Sequence, residues 1–247
     1  MSESARLFPT TRRSLIVELQ AQEPQRREVS LARFCSLYYP ALYGFARALG
    51  LSEADAKDGV QDFFVKVVQD QFLAKYEPER GMRFSSWLIK CFKNMVFNQL
   101  ASEKAAKRGG GQVFVPLDGE HAEHSYRAAH LAHLDPGPTF DLLLAREIWL
   151  AAKAAVFRRY QHKPGKELVA DLLPYVLHER WPPKPMPTQA ELAERHGLTA
   201  VKLKAFFNRT LKTLVRRSYD EEAQRASPGI PLDELDHLWH LLCRYGE

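Results

Sequence analysis

The chain has 247 residues, of which 45% are hydrophobic and 26% charged, and it carries a formal net charge of +5. This composition suits one large or two small globular domains, and the modest positive excess allows a nucleic-acid partner without requiring one. The three cysteines lie far apart and form no CxxC pair, which argues against a disulfide framework. No apolar run approaches the ~20 residues of a membrane span, and the first residues lack the apolar stretch of a signal peptide. We therefore expect a cytoplasmic protein without a membrane span.

Helical periodicity dominates the apolar pattern and strand-like alternation is scarce, which predicts an all-α fold. A short helix is predicted over residues 13–22, and a longer one over residues 30–49, kinked or divided at Pro40. Gly50 ends this helix, and Ser52 is the predicted N-cap of the next. Cys35 and Cys91 fall in apolar helices, where we expect them to be small core residues.

The helix predicted over residues 53–70 divides into two arcs. The apolar arc is the expected core side and consists of Ala56, Val60, Phe63, Phe64, Val67 and Val68. The opposite arc is acidic and carries Asp55, Asp58, Asp62 and Gln69. Paired carboxylates occur in catalytic sites, but no apolar pocket, histidine or metal partner is visible here, so we expect no enzyme. A simple solubilising surface remains the alternative.

The next helix is predicted over residues 85–104. Its buried side is expected to hold Leu88, Cys91, Phe92 and Met95, while Phe97 lies among the lysines of its polar arc. Together with the loop Arg80–Phe84 and Trp87, this arc could hold a single nucleic-acid strand by charge and stacking. The alternative is that Phe84 and Trp87 belong to the core and the lysines are solvated.

Residues 109–139 are rich in Gly, His, Pro and Asp and are predicted to be a linker with one short helix. Four histidines in it have i,i+3 spacings, namely His121, His124, His130 and His133. No cysteine completes a metal site, and Gly109–Gly111 lacks the Gly-Lys-Ser/Thr of a phosphate loop. We expect neither a metal nor a cofactor.

Helical periodicity resumes over residues 140–160 and 167–179, where Pro174 splits the second helix, and the prolines of residues 180–187 exclude a helix there. Thr188 and Glu191 have the spacing of a capping box, which predicts a short helix ending at His196 and Gly197. A longer basic helix capped by Thr199 follows, to about Ser218. This is the helix-turn-helix pattern.

Two faces of the basic helix differ in character. The first should pack on the preceding helix and consists of Leu203, Phe207, Thr210 and Leu214. The second is largely basic and consists of Lys202, Phe206, Arg209, Thr213 and Arg216, flanked by Lys204, Asn208, Lys212 and Arg217. Such a helix can enter the major groove and neutralise phosphates on both sides. The alternative is a solvated basic helix end.

The C-terminal tail places leucines at 232, 235, 238 and 242, which predicts an amphipathic helix docking on this chain or on a partner. The predicted organisation is a first domain over residues 1–108, a linker over 109–139, a second domain over 140–223 and the tail over 224–247.

Three segments together resemble the extracytoplasmic-function (ECF) class of bacterial sigma factors: DAKDGVQDFFVKVV, FSSWLIKCFKNMVFNQL and LTAVKLKAFFNRTLKTL. The resemblance covers roughly residues 10–108 and 140–220. It implies two helical domains, a sigma region 2 bundle and a sigma region 4 helix-turn-helix. In this family the first domain binds the clamp helices of RNA polymerase and traps the melted −10 strand. The second reads the −35 duplex and contacts the polymerase flap.

The family's functional positions fall on three sets of residues. The polymerase-binding set is Asp55, Asp58, Gln61 and Asp62. The −10 set is Arg80, Arg83, Phe84, Trp87, Lys90, Lys93, Asn94 and Phe97. The −35 set is Thr199, Lys202, Lys204, Phe206, Asn208, Arg209, Lys212 and Arg216.

The sequence departs from the family pattern at a few positions. Phe206 stands where a polar or basic residue is more common, which favours apolar contact with a thymine methyl group there. Gly59 replaces an apolar residue, and the tail lies beyond the minimal two-domain pattern. The implied partners are core RNA polymerase and promoter DNA, with an anti-sigma factor as a further candidate. The alternatives are a stand-alone helix-turn-helix regulator whose first domain dimerises and a sigma-like adaptor that does not read DNA.

Overall fold

The computed structural model describes residues 24–69, 72–76, 82–103, 119–128, 135–160, 167–177, 186–226 and 230–245. Within these ranges the chain is almost entirely helical and contains no strand, which confirms the all-α prediction. The predictions made for residues 13–22, Arg80, His130 and His133 lie outside the described residues. None of the helices in these ranges is long and apolar enough to span a bilayer.

The first two helices meet at a tight corner. Helix α1 (Pro24–Ala48) starts six residues earlier than predicted and continues through Pro40. It ends where Gly50 adopts a φ of 90°, and the N–H of Leu51 donates to the carbonyl of Ala46 at 3.2 Å. This is the left-handed C-terminal cap that glycine favours. Helix α2 (Glu53–Gln69) starts at once, because the Oγ of Ser52 accepts from the N–H of Asp55 at 3.1 Å, as predicted.

The first half of the core lies between α1, α2 and helix α3 (Phe84–Glu103), which follows a short 3₁₀ helix at Phe72–Lys75. The predicted apolar arc of α2 is buried except for Val68, which is half-buried. On α3 the burial of Leu88 and Phe92 is confirmed, whereas Cys91 and Met95 are half-buried. Gly59 of α2 faces α3, because a Cβ there would lie 3.4 Å from Cγ2 of Val96. This is an ordinary van der Waals distance, so the contact between α2 and α3 leaves room for a Cβ at this position.

Helix α4 (Gly119–Ala128) forms within the stretch predicted as a linker and packs on α1. The Tyr43 hydroxyl donates to the carboxylate of Glu123, and Nη1 of Arg47 donates to the same carboxylate at 2.8 Å. Burial and the bond to Glu123 raise the pKa of Tyr43 well above its usual range. His121 lies 3.1 Å from the carboxylate of Glu147, so α4 is also tied to the following helix.

Helix α5 (Pro136–Tyr160) lies at the centre of the molecule and starts four residues before its predicted beginning. It packs against α1 on one side and against the C-terminal helices on the other. Gly44 of α1 makes the first contact close, because a Cβ there would lie 2.0 Å from Cδ1 of Leu143. The described residues of both halves of the chain consequently share one apolar core.

The capping predictions for the second half of the chain are confirmed. Helix α6 (Glu167–Leu172) changes to a 3₁₀ turn at Leu173–Tyr175, where Pro174 lies. Helix α7 (Gln189–Arg195) has the complete capping box of Thr188 and Glu191. A turn at Gly197, with a φ of 62°, leads to helix α8 (Ala200–Phe206), and Thr199 accepts from the N–H of Lys202 at 3.3 Å.

The long helical segment from 200 to 226 is not a regular α-helix. A π-helical turn (Phe207–Leu211) separates α8 from helix α9 (Lys212–Ala226). The predicted burial of Thr210 is wrong, because Thr210 is exposed and Leu211 is fully buried. Leu214 is half-buried, and its neighbour Val215 occupies the core.

The π turn explains this change of face. At ~100° per residue, the buried residues spaced four apart would spread over about 160° of a regular helix; these are Leu203, Phe207, Leu211, Val215 and Tyr219. A π turn absorbs one extra residue, which brings the same five positions within about 80° of each other. The turn therefore aligns the apolar sides of α8 and α9.

Helix α10 (Leu232–Tyr245) packs on α5, and it contacts α9 through the pairs Asp236–Arg216 and Trp239–Tyr219. Leu235, Leu238 and Leu242 are fully buried, whereas Leu232 is 73% exposed. The tail thus packs on its own chain through three of the four predicted leucines.

Candidate functional site

The acidic face of α2 is open to solvent. Asp55, Asp58 and Asp62 are exposed and Gln61 is half-buried, on the side of the helix opposite its core residues. The carboxylate of Asp55 also accepts from Oγ of Ser52 at 2.6 Å, which holds it at the start of the helix. In the described parts of the chain no three His, Cys, Asp or Glu side chains are grouped so that they could hold a metal ion. The face is therefore suited to contact with a partner surface.

The aromatic residues at the start of α3 belong to a packed cluster. Phe84 is buried, and the Trp87 ring lies 5.2 Å from Phe72 and 5.3 Å from Tyr76 between centroids. The Tyr76 hydroxyl donates to the carbonyl of Met82 at 2.8 Å and so anchors the residues just before α3. Phe84 is thus a core residue, and the half-buried Trp87 packs against it, which favours the alternative that both belong to the core.

The remaining described members of the −10 set lie outside the core. Arg83 precedes α3 and is exposed, as are Lys90, Lys93 and Asn94 along the helix. Phe97 is 48% exposed, and the ammonium group of Lys93 lies 5.7 Å from the centre of its ring. An aromatic ring flanked by cations provides a surface on which an unpaired base can stack.

Most of the −35 set lies on the exposed side of the π turn and its flanking helices. Exposed side chains belong to Thr199, Lys202, Lys204, Asn208 and Arg209. Lys212 is half-buried, and its ammonium group lies 5.1 Å from the ring centre of Phe207. The helix thus presents several donors and cations at its N-terminal end, which is the end that major-groove readers use.

Phe206 lies at the edge of this surface, next to Lys202. It is half-buried against the core and lines a cavity of about 360 Å³ with Leu168, His196 and Leu198. Val201, by contrast, is 78% exposed beside Lys202. Val201 is therefore an exposed apolar side chain in the first turn of α8, a feature that the sequence pattern of this helix did not single out.

Arg216 is also separated from the rest of its set. Its Nε donates to Asp220 at 2.9 Å, its Nη2 donates to Asp236 of α10 at 2.7 Å, and its guanidinium lies 5.3 Å from the ring centre of Trp239. In a regular helix Arg216 would lie within about 20° of Arg209, but the π turn rotates it away. The structure therefore brings Arg216 to the tail.

A second group of charges surrounds the first turn of α10. Glu234 is only 2% exposed, and neither of its carboxylate oxygens has a hydrogen bond of normal geometry to the described residues. Burial and the neighbouring Asp141 raise its pKa, while Ser85 and Arg83 at the start of α3 oppose the shift. Asp141 is itself 3.3 Å from Nε2 of His237. The sequence analysis did not find this cluster, because it assembles from three distant segments.

Comparison with known proteins identifies one segment of the chain. Residues 35–106 match the family model of sigma-70 region 2, which covers most of α1 and all of α2 and α3. Neither a curated protein nor a solved structure shows significant similarity to the chain. The matched segment contains the acidic face of α2 and the exposed strip of α3. A region 2 domain supports a role in RNA polymerase binding and promoter recognition, as part of a sigma-70 family factor.

Proposed function

We propose that the chain is a sigma factor of the ECF class, which binds core RNA polymerase and directs initiation at promoters through their −10 and −35 elements. The observation that carries this proposal is the region 2 match over residues 35–106. It coincides with the segment that exposes both an acidic helix face and a cationic strip with an aromatic ring.

In this proposal the acidic face of α2 meets the polymerase clamp. Asp58 and Asp62 point to solvent from a helix whose other side is locked in the core, so a partner can reach them without unfolding. The charges would steer association and fix its orientation more than they add raw affinity.

The exposed strip of α3 would hold the melted −10 strand. Phe97 offers the stacking surface, with Lys90, Lys93 and Asn94 placed for the backbone and base edges. Phe84 and Trp87 would support this strip from the core, because both pack into the aromatic cluster at the base of α3.

The second half of the chain would read duplex DNA. After helix α7 and the turn at Gly197, helix α8 exposes Lys202 and Lys204, and the π turn exposes Asn208 and Arg209. The division into a first domain over 1–108 and a second over 140–223 belongs to the same proposal.

Run-off transcription with core polymerase tests the proposal directly. The chain should produce a specific transcript, and Asp58→Ala/Asp62→Ala should abolish it while leaving binding to duplex DNA intact. Glu120→Ala/Glu194→Ala is the matched control, since it removes two exposed carboxylates from other helices. If the Asp58 and Asp62 changes instead disrupted a homodimer and left polymerase binding unaffected, the stand-alone regulator would be the better description.

The duplex contact has its own test in the salt dependence of binding. Lys202→Ala/Arg209→Ala should reduce the slope of log Kd against log salt by about 1.8, because each phosphate contact contributes ~0.9. Lys66→Ala, at an exposed position on α2, should leave the slope unchanged. An unaltered slope in the double variant would place the duplex contact elsewhere.

A further inference from the structure

Helix α10 lies between the two halves of the molecule. Three of its leucines are buried where the helix packs on α5, and the Trp239 ring lies 5.0 Å from Tyr219 of α9 and 6.4 Å from Trp149 of α5 between centroids. The helix is thus fixed by apolar contacts, and its polar side chains are held at defined positions.

One of these polar side chains, Asp236, is directed at Arg216. The pair joins α10 to α9 across 20 residues of sequence, with 2.7 Å between Nη2 and the carboxylate. Burial alone would lower the pKa of Arg216, but its hydrogen bonds to Asp236 and Asp220 outweigh burial and raise it. The guanidinium is therefore fully charged and is engaged by two carboxylates.

The same end of α10 carries another acidic side chain, Glu234, in its first turn. Glu234 is buried near Ser85 at the start of α3, and the charge of Arg83 acts on its carboxylate. The N-terminal end of the tail helix thus directs one carboxylate at an arginine of the proposed −35 set and carries a second one near the start of α3.

We propose that α10 is an intramolecular competitor of DNA, in which the carboxylate of Asp236 holds Arg216 in the position that a backbone phosphate would otherwise take. A backbone phosphate would accept from the same Nη2 that now donates to Asp236, so occupation by one excludes the other. Asp236 is 60% exposed at its side chain, and a pair this open to solvent is weak enough for DNA to displace. The inference rests on the proposed function, because it requires that the segment 200–226 binds duplex DNA.

The test uses the full chain and a fluorescent 30-base-pair duplex of arbitrary sequence. Asp236→Asn should bind about three- to tenfold more tightly at low salt, and its salt slope should increase by about 0.9, the value for one additional phosphate contact. Asp233→Asn is the matched control, since it removes the same charge from an exposed position in the same helical turn. It should change affinity only through net charge.

Two further variants show whether the gain in DNA affinity depends on Arg216. Arg216→Gln alone should hardly weaken DNA binding, because the free protein already pairs this side chain with the tail. Arg216→Gln/Asp236→Asn should lose the whole gain seen in Asp236→Asn. The proposal is overturned if Asp236→Asn binds no better than Asp233→Asn, or if the double variant keeps the gain.

These results are independent of the transcription assay. A chain that binds duplex DNA and supports run-off transcription, but in which Asp236→Asn has no effect, would refute the competition alone. A chain in which Asp236→Asn tightens duplex binding, but which never initiates with core polymerase, would refute the sigma-factor proposal and leave the competition standing.

Discussion

The same functional group, whether a carboxylate or a thiol, has different properties at different sites in this protein, according to its surroundings. Asp58 is exposed on α2 and is free to meet a partner, whereas Glu234 is buried with a raised pKa between Asp141 and Ser85. The cysteines show a similar contrast: Cys35 is buried in α1, and Cys91 and Cys243 are half-buried. Reactivity is therefore a property of the site.

Thiol labelling should show this difference. Burial raises the pKa of Cys35 to about 12, so that roughly one thiol in ten thousand is ionised at pH 8. We expect iodoacetamide to modify Cys243 in the native protein and to reach Cys35 only in urea, as followed by peptide mass spectrometry. Equal labelling rates at Cys35 and Cys243 in native buffer would contradict the buried position of Cys35 in α1.

Gly44 illustrates how one missing side chain determines a helix contact. Gly44→Ala places a Cβ 2.0 Å from Cδ1 of Leu143, and such overpacking costs about 1–3 kcal/mol. The gain from replacing a helical glycine, about 0.5–1 kcal/mol, should not compensate. We therefore expect a lower free energy of unfolding by urea denaturation.

Two comparisons isolate the clash. In a Leu143→Ala background Gly44→Ala should become neutral or stabilising, because the contacted methyl group is gone. Gly137→Ala, where no atom lies within 4 Å of the added Cβ, should not destabilise at all. A loss of stability that persists in the Leu143→Ala background would assign the effect to α1 alone.

At the scale of elements, the π turn is the feature that matters most. It aligns the buried residues of α8 and α9 and turns Arg216 toward α10, while Arg209 stays exposed. A single inserted residue thus determines which of these two arginines is exposed and which is held by the tail.

Two deletions should distinguish the π turn from the regular helix that follows. Deleting exposed Thr210 converts the turn to a regular one and preserves both registers, so the free energy of unfolding should change by less than about 1 kcal/mol. Deleting exposed Thr213 rotates Val215 and Tyr219 out of the core and should cost at least about 3 kcal/mol. Equal losses in urea denaturation would show that the extra residue is not absorbed at 207–211.

At the scale of the whole molecule, α5 and α10 join the two halves of the chain. Helix α5 packs on α1 and on both C-terminal helices, and the start of α10 reaches the base of α3 through Glu234. Changes at the C-terminal end should therefore affect the stability of the whole shared core.

The buried carboxylate of Glu234 makes this coupling dependent on pH. Because its pKa is raised in the folded state above the ordinary 4.5, the folded chain holds the proton more tightly than the unfolded chain. Its contribution to stability is thus best at low pH, falls as pH rises from about 4.5 through the raised pKa, and stays unfavourable above it. Glu234→Gln should be more stable than the wild type at pH 7 by about 1–3 kcal/mol, with the difference shrinking toward pH 4.

Urea denaturation between pH 4 and pH 8 measures this difference. Asp233→Asn, one position earlier and exposed, should show no such pH-dependent gain. If Glu234→Gln lost stability at pH 7, the buried carboxylate would stabilise the fold through Ser85 and Arg83 and would not destabilise it.

The sequence by itself determined much of the local structure. The end of α1 at Gly50, the caps at Ser52, Thr188 and Thr199, and the apolar arc of α2 depend on neighbouring residues only, so periodicity and capping chemistry predict them. The exposed position of the acidic face follows from the same periodicity.

Only the tertiary structure decided the features that combine distant segments. The π turn was not predicted, because its cost is offset by packing of Leu211 and Val215 on other helices, which no local pattern records. The placement of Phe206 against the core, the pairing of Arg216 with Asp236 and the burial of Glu234 depend equally on which helices meet. Local propensity acts over a few residues, whereas these contacts join positions 20 or more apart, so their partners are known only once the chain has folded.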